Sequence, residues 1–263
     1  MPDTSHPLLN FVSSAFGAIS ISIWMCATLP QLLQNYKAKS TKGISIHFLG
    51  LWFLGDALNF TGCLLTGQLL FQTLLAGFFV FSDSMLLLQR HYYLRRARAP
   101  AYQLPPQATP FKISATILSS TASALGSPLW SRELPVASES HTIGRIIAWS
   151  CTAIYILSRI PQLRKNYQRK STEGVSPLLF CCTLAGNLTY TLSILTSTEL
   201  LFLESSRPLF LQRELPYILG SMGTVVFDLG FFWQWRMYAK APLVAYEMHN
   251  VETDREESAA FAD

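Results

Sequence analysis

Five stretches of this 263-residue chain run for about twenty residues with at most one formal charge, which leaves few folds open to it. Phe11 to Leu33 and Val175 to Thr198 hold no charged residue, while Ile44 to Thr66, Phe71 to Gln89 and Leu215 to Trp235 hold one aspartate each. A helix crosses about 30 Å of hydrocarbon with roughly 20 residues. Two further spans are weaker. Ile146 to Ser158 is a shorter core whose flanking Arg145 and Arg159 are expected to snorkel toward the two surfaces, and Ile113 to Trp130, rich in Ser, Thr and Ala, reads as a helix packed among others. Half the residues are hydrophobic and 14% are charged, a balance that argues against a soluble all-helical protein.

The seven spans contain a repeat. Leu29 to Ser45, LPQLLQNYKAKSTKGIS, returns 131 residues later as IPQLRKNYQRKSTEGVS, Ile160 to Ser176, with ten identities in register. In each copy an apolar helix leads into Pro-Gln, a basic turn follows, and a second apolar helix begins. The chain is therefore expected to be an all-α membrane protein of two three-helix repeats, residues 12–94 and 142–240, joined by a linker and fourth helix at 95–141. Three spans per repeat is an odd number, so one linking helix restores the orientation and makes the repeats parallel, about an axis along the membrane normal. Residues 1–11 form the N-terminal segment, with neither the basic region nor the cleavage site of a signal peptide. Residues 241–263, acidic and too short to span, are expected to be a disordered tail. The hairpin from Gly186 to Asp228 is 14 residues longer than its counterpart from Gly55 to Asp83, and the excess is expected to form a structured loop.

Candidate functional residues cluster in the spans. Pro30 and Pro161 each crowd the carbonyl four residues back, at Cys26 and Leu157, and with Gln31 and Gln162 beside them they are read as paired hinges. Asp56, Asp83 and Asp228 each cost at least ~2.5 kcal/mol at a bilayer centre unless they face a partner or a wet cavity. Asp83 and Asp228 occupy the third helix of each repeat, six residues before Gln89 and Gln234, and are read as an acidic pair of which at least one takes up a proton during a cycle. Gly55-Asp56 aligns with Gly186-Asn187 and Asn59 with Tyr190, so that Asp56, Asn59, Asn187 and Tyr190 complete a midplane set. With three acids and no basic residue near the span centres, the cavity is expected to attract a cation.

Other chemistry is not indicated. The five cysteines fall inside spans and form no disulfide framework. His47 and His141 sit near helix ends, and no metal spacing, phosphate loop or nucleophile elbow is present, so neither an enzyme nor a cofactor is expected. The net charge of +4 comes from basic turns at the membrane surface and calls for no nucleic-acid partner.

The duplicated Pro-Gln turn, with the strings NYKAKSTKGIS, LWFLGDALNFTGCLLTGQL and RKSTEGVS, resembles the PQ-loop family and, within it, the lysosomal and vacuolar basic amino acid transporters. The resemblance implies seven helices in the arrangement shared with the SWEET transporters, hinge prolines at Pro30 and Pro161, and residence in a vacuolar or lysosomal membrane. It also implies transport of arginine, lysine and histidine, while a proton as a second partner is expected from the titrating aspartate and not from the resemblance. Asn187 opposite Asp56 breaks the charge symmetry, as suits a substrate with unlike ends. The alternative from another class is a nutrient sensor or scaffold whose loops and tail recruit a cytosolic protein.

Orientation follows from the basic residues. Lys37, Lys39 and Lys42 follow the first span, Arg90, Arg95, Arg96, Arg98 and Lys112 the third, Arg164, Lys165, Arg169 and Lys170 the fifth, and Arg236, Lys240 and Arg255 the seventh. All fall on one face, which is expected in the cytosol. Protease treatment of intact vesicles should therefore remove a C-terminal tag and spare an N-terminal one; the reverse pattern would sink the orientation.

Overall fold

The computed structural model of the protein describes residues 6–65, 70–98, 138–202 and 207–238. The expected fourth span, the Pro-rich linker and the acidic tail lie outside the described residues. Within them the secondary structure is helical: α1 (Pro7–Cys26), α2 (Leu29–Ala38), α3 (Ile46–Leu65), α4 (Leu70–Arg98), α5 (Ser138–Arg169), α6 (Pro177–Leu195), the short α7 (Thr198–Leu201) and α8 (Arg207–Tyr238). Counting α1 with α2, six helices are long and apolar enough to cross a membrane. Large apolar side chains such as Leu74, Phe81, Val226 and Trp233 are more than half exposed on the outside of the bundle, where lipid replaces water as the solvent.

Several boundaries move relative to the sequence reading. α4 does not stop at Gln89 but continues to Arg98, so Arg90 is a helical residue, not part of a loop. It is buried, and its Nη1 donates to the carbonyls of Thr41 (3.2 Å) and Ile44 (3.1 Å) in the first Pro-Gln turn. α5 runs through Arg159 without a break, and the longer hairpin of the second repeat resolves in part into α7 and extra turns of α8 ahead of Pro216. The two prolines act differently. α1 ends at Cys26, the residue whose carbonyl Pro30 crowds, and Pro30 opens α2 after a two-residue break; Pro161 stays inside a continuous α5.

The repeats pack crosswise, with α1 of the first against α6 of the second and α5 of the second against α3 of the first. Glycines make the close approach possible. The Trp24 indole lies over Gly186, where a Cβ would sit 2.7 Å from Nε1, and the Tyr155 ring lies over Gly55, where a Cβ would sit 2.5 Å from Cε1. Gly55 and Gly186 are repeat-equivalent, as are Trp24 and Tyr155. Polar contacts repeat in the same way: Ser20 Oγ donates to the Gly186 carbonyl (2.8 Å), and its counterpart Cys151 Sγ to that of Gly55 (3.6 Å). Small residues that admit a neighbouring backbone, with hydroxyls as glue, are the usual means of holding helices together in lipid.

The two Pro-Gln turns meet at one end of the bundle and clasp each other. Gln31 Nε2 donates to the Gly174 carbonyl (3.0 Å) and its Oε1 accepts from the Ser176 amide (2.8 Å); Gln162 Nε2 donates to the Gly43 carbonyl (3.2 Å) and its Oε1 accepts from the Ser45 amide (2.7 Å). Each glutamine is fixed by the asparagine one turn on, Asn35 or Asn166, which is held in turn by Gln89 or Gln234. Gly43 and Gly174 touch so closely that a Cβ on Gly43 would collide with the opposite backbone. Gly174, at φ +83°, also needs the left-handed freedom of glycine. Lys39 and Lys170 cap the preceding helices at φ 49° and 50°, a conformation costly for a side-chain-bearing residue. Their ammonium groups sit 3.8 and 3.4 Å from the ring centroids of Tyr36 and Tyr167, and the cation–π contact offsets part of that cost. The shared string Gln-Leu…Asn-Tyr…Lys-Ser-Thr…Gly…Ser thus specifies one reciprocal lock, and it makes the repeats parallel.

Removing one glutamine leaves buried amide and carbonyl groups unpaired, at about 1–3 kcal/mol. With cysteines placed at Lys42 and Glu173 in a background otherwise free of them, Gln31→Ala or Gln162→Ala should lower the yield of cross-linking between the turns severalfold. Equal yields in parent and variants would mean that the glutamines do not hold this end shut.

Candidate functional site

Between the clasp and the far end of the bundle lies a charged cluster that the cross-packing of the repeats assembles. Its centre is a residue that the sequence reading placed at the membrane surface. Arg159 does not snorkel; it is 2% exposed, and its Nε donates to Asp228 Oδ1 at 3.0 Å. Ser158, in turn, caps the Tyr155 carbonyl at 2.6 Å and lies next to the guanidinium. The guanidinium stands 5.0 Å from the Trp52 ring centroid, 5.4 Å from that of Phe48 and 6.0 Å from that of Phe180, so aromatic faces enclose it. Those rings continue into the buried core through Phe180 and Phe231, stacked 3.8 Å apart.

The premise that no basic residue lies near the span centres is therefore overturned. A signal for this was present in the sequence: the 13-residue core from Ile146 to Ser158 is too short to cross hydrocarbon, so its helix had to take Arg159 in with it. Tyr155 and Thr183 carry no charge, so nothing in the sequence marks them as partners of the aspartates.

The acidic residues divide into two groups. Asp228, fully buried, is satisfied within the protein by Arg159 and by the Thr183 hydroxyl at 2.7 Å. Asp56 and Asp83 form the other group. Asp56 accepts a hydrogen bond from the Tyr155 hydroxyl at 2.5 Å, and its carboxyl lies close enough to that of Asp83 to share a hydrogen bond. Two carboxyl groups in such contact hold at most one charge comfortably, because a proton must lie between them. Asp83 thus lies against Asp56, and Asp228 against Arg159. Arg159 is near enough to act electrostatically on both Asp56 and Asp83.

Asn187, the repeat counterpart of Asp56, is buried beside Gly186, and its Nδ2 meets no acceptor among the described residues. Asn59 and Tyr190 are half-buried, one turn farther from the clasp on α3 and α6. Pro30, Gln31, Pro161 and Gln162 are remote from the charges in role: they form the closed end. His47 is exposed, and among the described residues no group of three His, Cys, Asp or Glu side chains comes together as metal ligands would. Taken as a whole, the cluster offers an ion pair, a carboxyl pair and an aromatic enclosure in a region that lipid keeps dry. It is suited to binding a small charged molecule and to exchanging a proton.

Comparison with known proteins identifies the family. The family model for the PQ loop repeat matches residues 12–72 and 143–203, one copy in each repeat. The vacuolar arginine/histidine antiporter of Saccharomyces cerevisiae is 35% identical over 96% of this chain and 91% of its own length. The human lysosomal amino acid transporter 1 homolog is 30% identical over 87% of this chain and 83% of its own length, and the yeast vacuolar lysine transporter 23% identical over 87% and 94%. Crossed helices, matched turns and shared sequence lead to one assignment: this chain is a multi-pass membrane protein of the PQ-loop family.

Proposed function

We propose that the protein transports cationic amino acids, arginine, lysine and histidine, across a vacuolar or lysosomal membrane by alternating access. One observation carries this reading: the cluster between the repeats holds more buried carboxyl groups than internal cations, with Asp56 and Asp83 facing each other in the excess. A substrate cation would supply the missing charge, and the activities for which the relatives are named fit that chemistry. In this reading Asp56 and Asp83 receive the cationic end. Arg159, oriented by Asp228, attracts the α-carboxylate, and Asn59, Asn187 and Tyr190 line the approach. The clasp of the Pro-Gln turns closes the cytosolic side, and the break before Pro30 and the proline inside α5 at Pro161 let the two first helices bend as it opens.

Proton and substrate compete for the same carboxyl pair. Acidifying the side from which the site is reached should therefore weaken arginine binding, because the cation needs the pair deprotonated. Radiolabelled arginine uptake into proteoliposomes under imposed pH gradients measures both activity and pH dependence. Asp56→Asn and Asp83→Asn, which keep size and remove charge, should each lower uptake by about tenfold or more, the worth of a charge-assisted hydrogen bond. Uptake and pH dependence that both survive these changes, and Asp228→Asn with them, would reduce the carboxylates to structural parts.

The hinges have a separate test. Pro30→Ala and Pro161→Ala should slow transport much more than they lower the yield of folded protein, because a straightened helix alters the opening equilibrium and not the binding groups. Wild-type rates in both variants would leave the prolines as helix punctuation.

A further inference from the structure

The repeat symmetry places Asp83 and Asp228 at equivalent positions, and their surroundings differ in one consistent way. Asp228 has two partners, the guanidinium of Arg159 at 3.0 Å and the hydroxyl of Thr183 at 2.7 Å. In the first repeat the residue equivalent to Arg159 is Thr28, and the residue equivalent to Thr183 is Trp52. Both partners are thus replaced, one by a side chain too short and neutral to act as a counter-ion, the other by an indole. The consequence is visible at Asp83, which is 3% exposed and whose Oδ2 meets no hydrogen-bond donor among the described residues. A buried carboxyl oxygen left in this state is costly, far more so in lipid than in water. Thr28 is itself buried, at the break between α1 and α2, two residues before Pro30.

We propose that the space beside Thr28 and Asp83 is the seat of the substrate's cationic group, and that it is the vacant counterpart of the seat that Arg159 fills beside Asp228. This rests on the transport reading and adds to it where the cation goes and why only one is taken. The second repeat carries its own tethered guanidinium, so the molecule has one open cation seat where strict symmetry would give two. Trp52, whose ring lies against Arg159, holds the repeat position equivalent to Thr183, and in this proposal its face serves the open seat as well; a guanidinium, an ammonium or an imidazolium is the kind of group such a face accepts. Because Thr28 adjoins the helix break, a cation bound there would also touch the segment whose bending the transport cycle needs.

Thr28→Arg would give the first repeat the tethered cation of the second. In the purified full-length protein, calorimetric titration with arginine should show affinity reduced by at least about thirtyfold in Thr28→Arg. The variant should also unfold at a higher temperature than the unliganded parent, and Asp83→Asn should abolish that gain. Citrulline, the neutral analogue of arginine, should bind the parent at least about thirtyfold more weakly than arginine does. Wild-type affinity in Thr28→Arg overturns the seat while leaving transport intact; lost affinity without the Asp83-dependent stabilisation overturns it too, as mere obstruction. Should Thr28→Arg fail to fold, Asp83→Asn decides, since arginine affinity retained within about threefold places the cation elsewhere. A parent protein that binds neither arginine, lysine nor histidine would instead sink the transport reading itself.

Discussion

In hydrocarbon no water is at hand to complete a hydrogen bond, so each polar group carried into the membrane must find its partner in the protein. This chain meets the requirement by making each repeat the partner of the other. Gln31 is satisfied by Gly174 and Ser176, Gln162 by Gly43 and Ser45, and Ser20 by Gly186. Neither repeat satisfies these groups alone. The crosswise packing of α1 on α6 and of α5 on α3 is what brings them together, and the glycines at 55 and 186 are what allow that packing.

A structure built from reciprocal contacts at a single pseudo-two-fold axis has an obvious place to move. The bonds of the clasp are individually modest, about 0.5–1.5 kcal/mol net each. They lie at one end of the bundle, on one helix interrupted just before Pro30 and another that carries Pro161 within it. They adjoin the hydrophobic core around Phe48, Phe180 and Phe231, which reaches the clasp itself through Ile44 and Val175.

The symmetry is broken where the chemistry is. Asp56 faces the position of Asn187, Tyr155 that of Trp24, Arg159 that of Thr28, and Thr183 that of Trp52. In the second repeat these choices close a network, with Asp228 matched on both oxygens. In the first they leave the carboxyl groups of Asp56 and Asp83 against each other. The two halves therefore differ in charge, the second matched internally and the first left with a pair of carboxyl groups.

Much of this was legible without coordinates. Hydrophobic run length sets the number of spans because the bilayer has a fixed thickness, and the ten identities between the two turns set the repeat because chance does not align them. The buried positions of Asp56, Asp83 and Asp228 followed from the same runs. What the sequence could not decide was pairing, which depends on which helix faces which. Equivalent positions suggested Asp83 with Asp228; the crosswise packing instead sets Asp83 beside Asp56 and gives Asp228 to Arg159, a residue whose position near a proline disguised it as a helix end. The glutamines, read as neighbours of a hinge, prove to be the bonds between repeats for the same reason: their partners lie more than a hundred residues away along the chain, and only the folded arrangement brings such groups within reach.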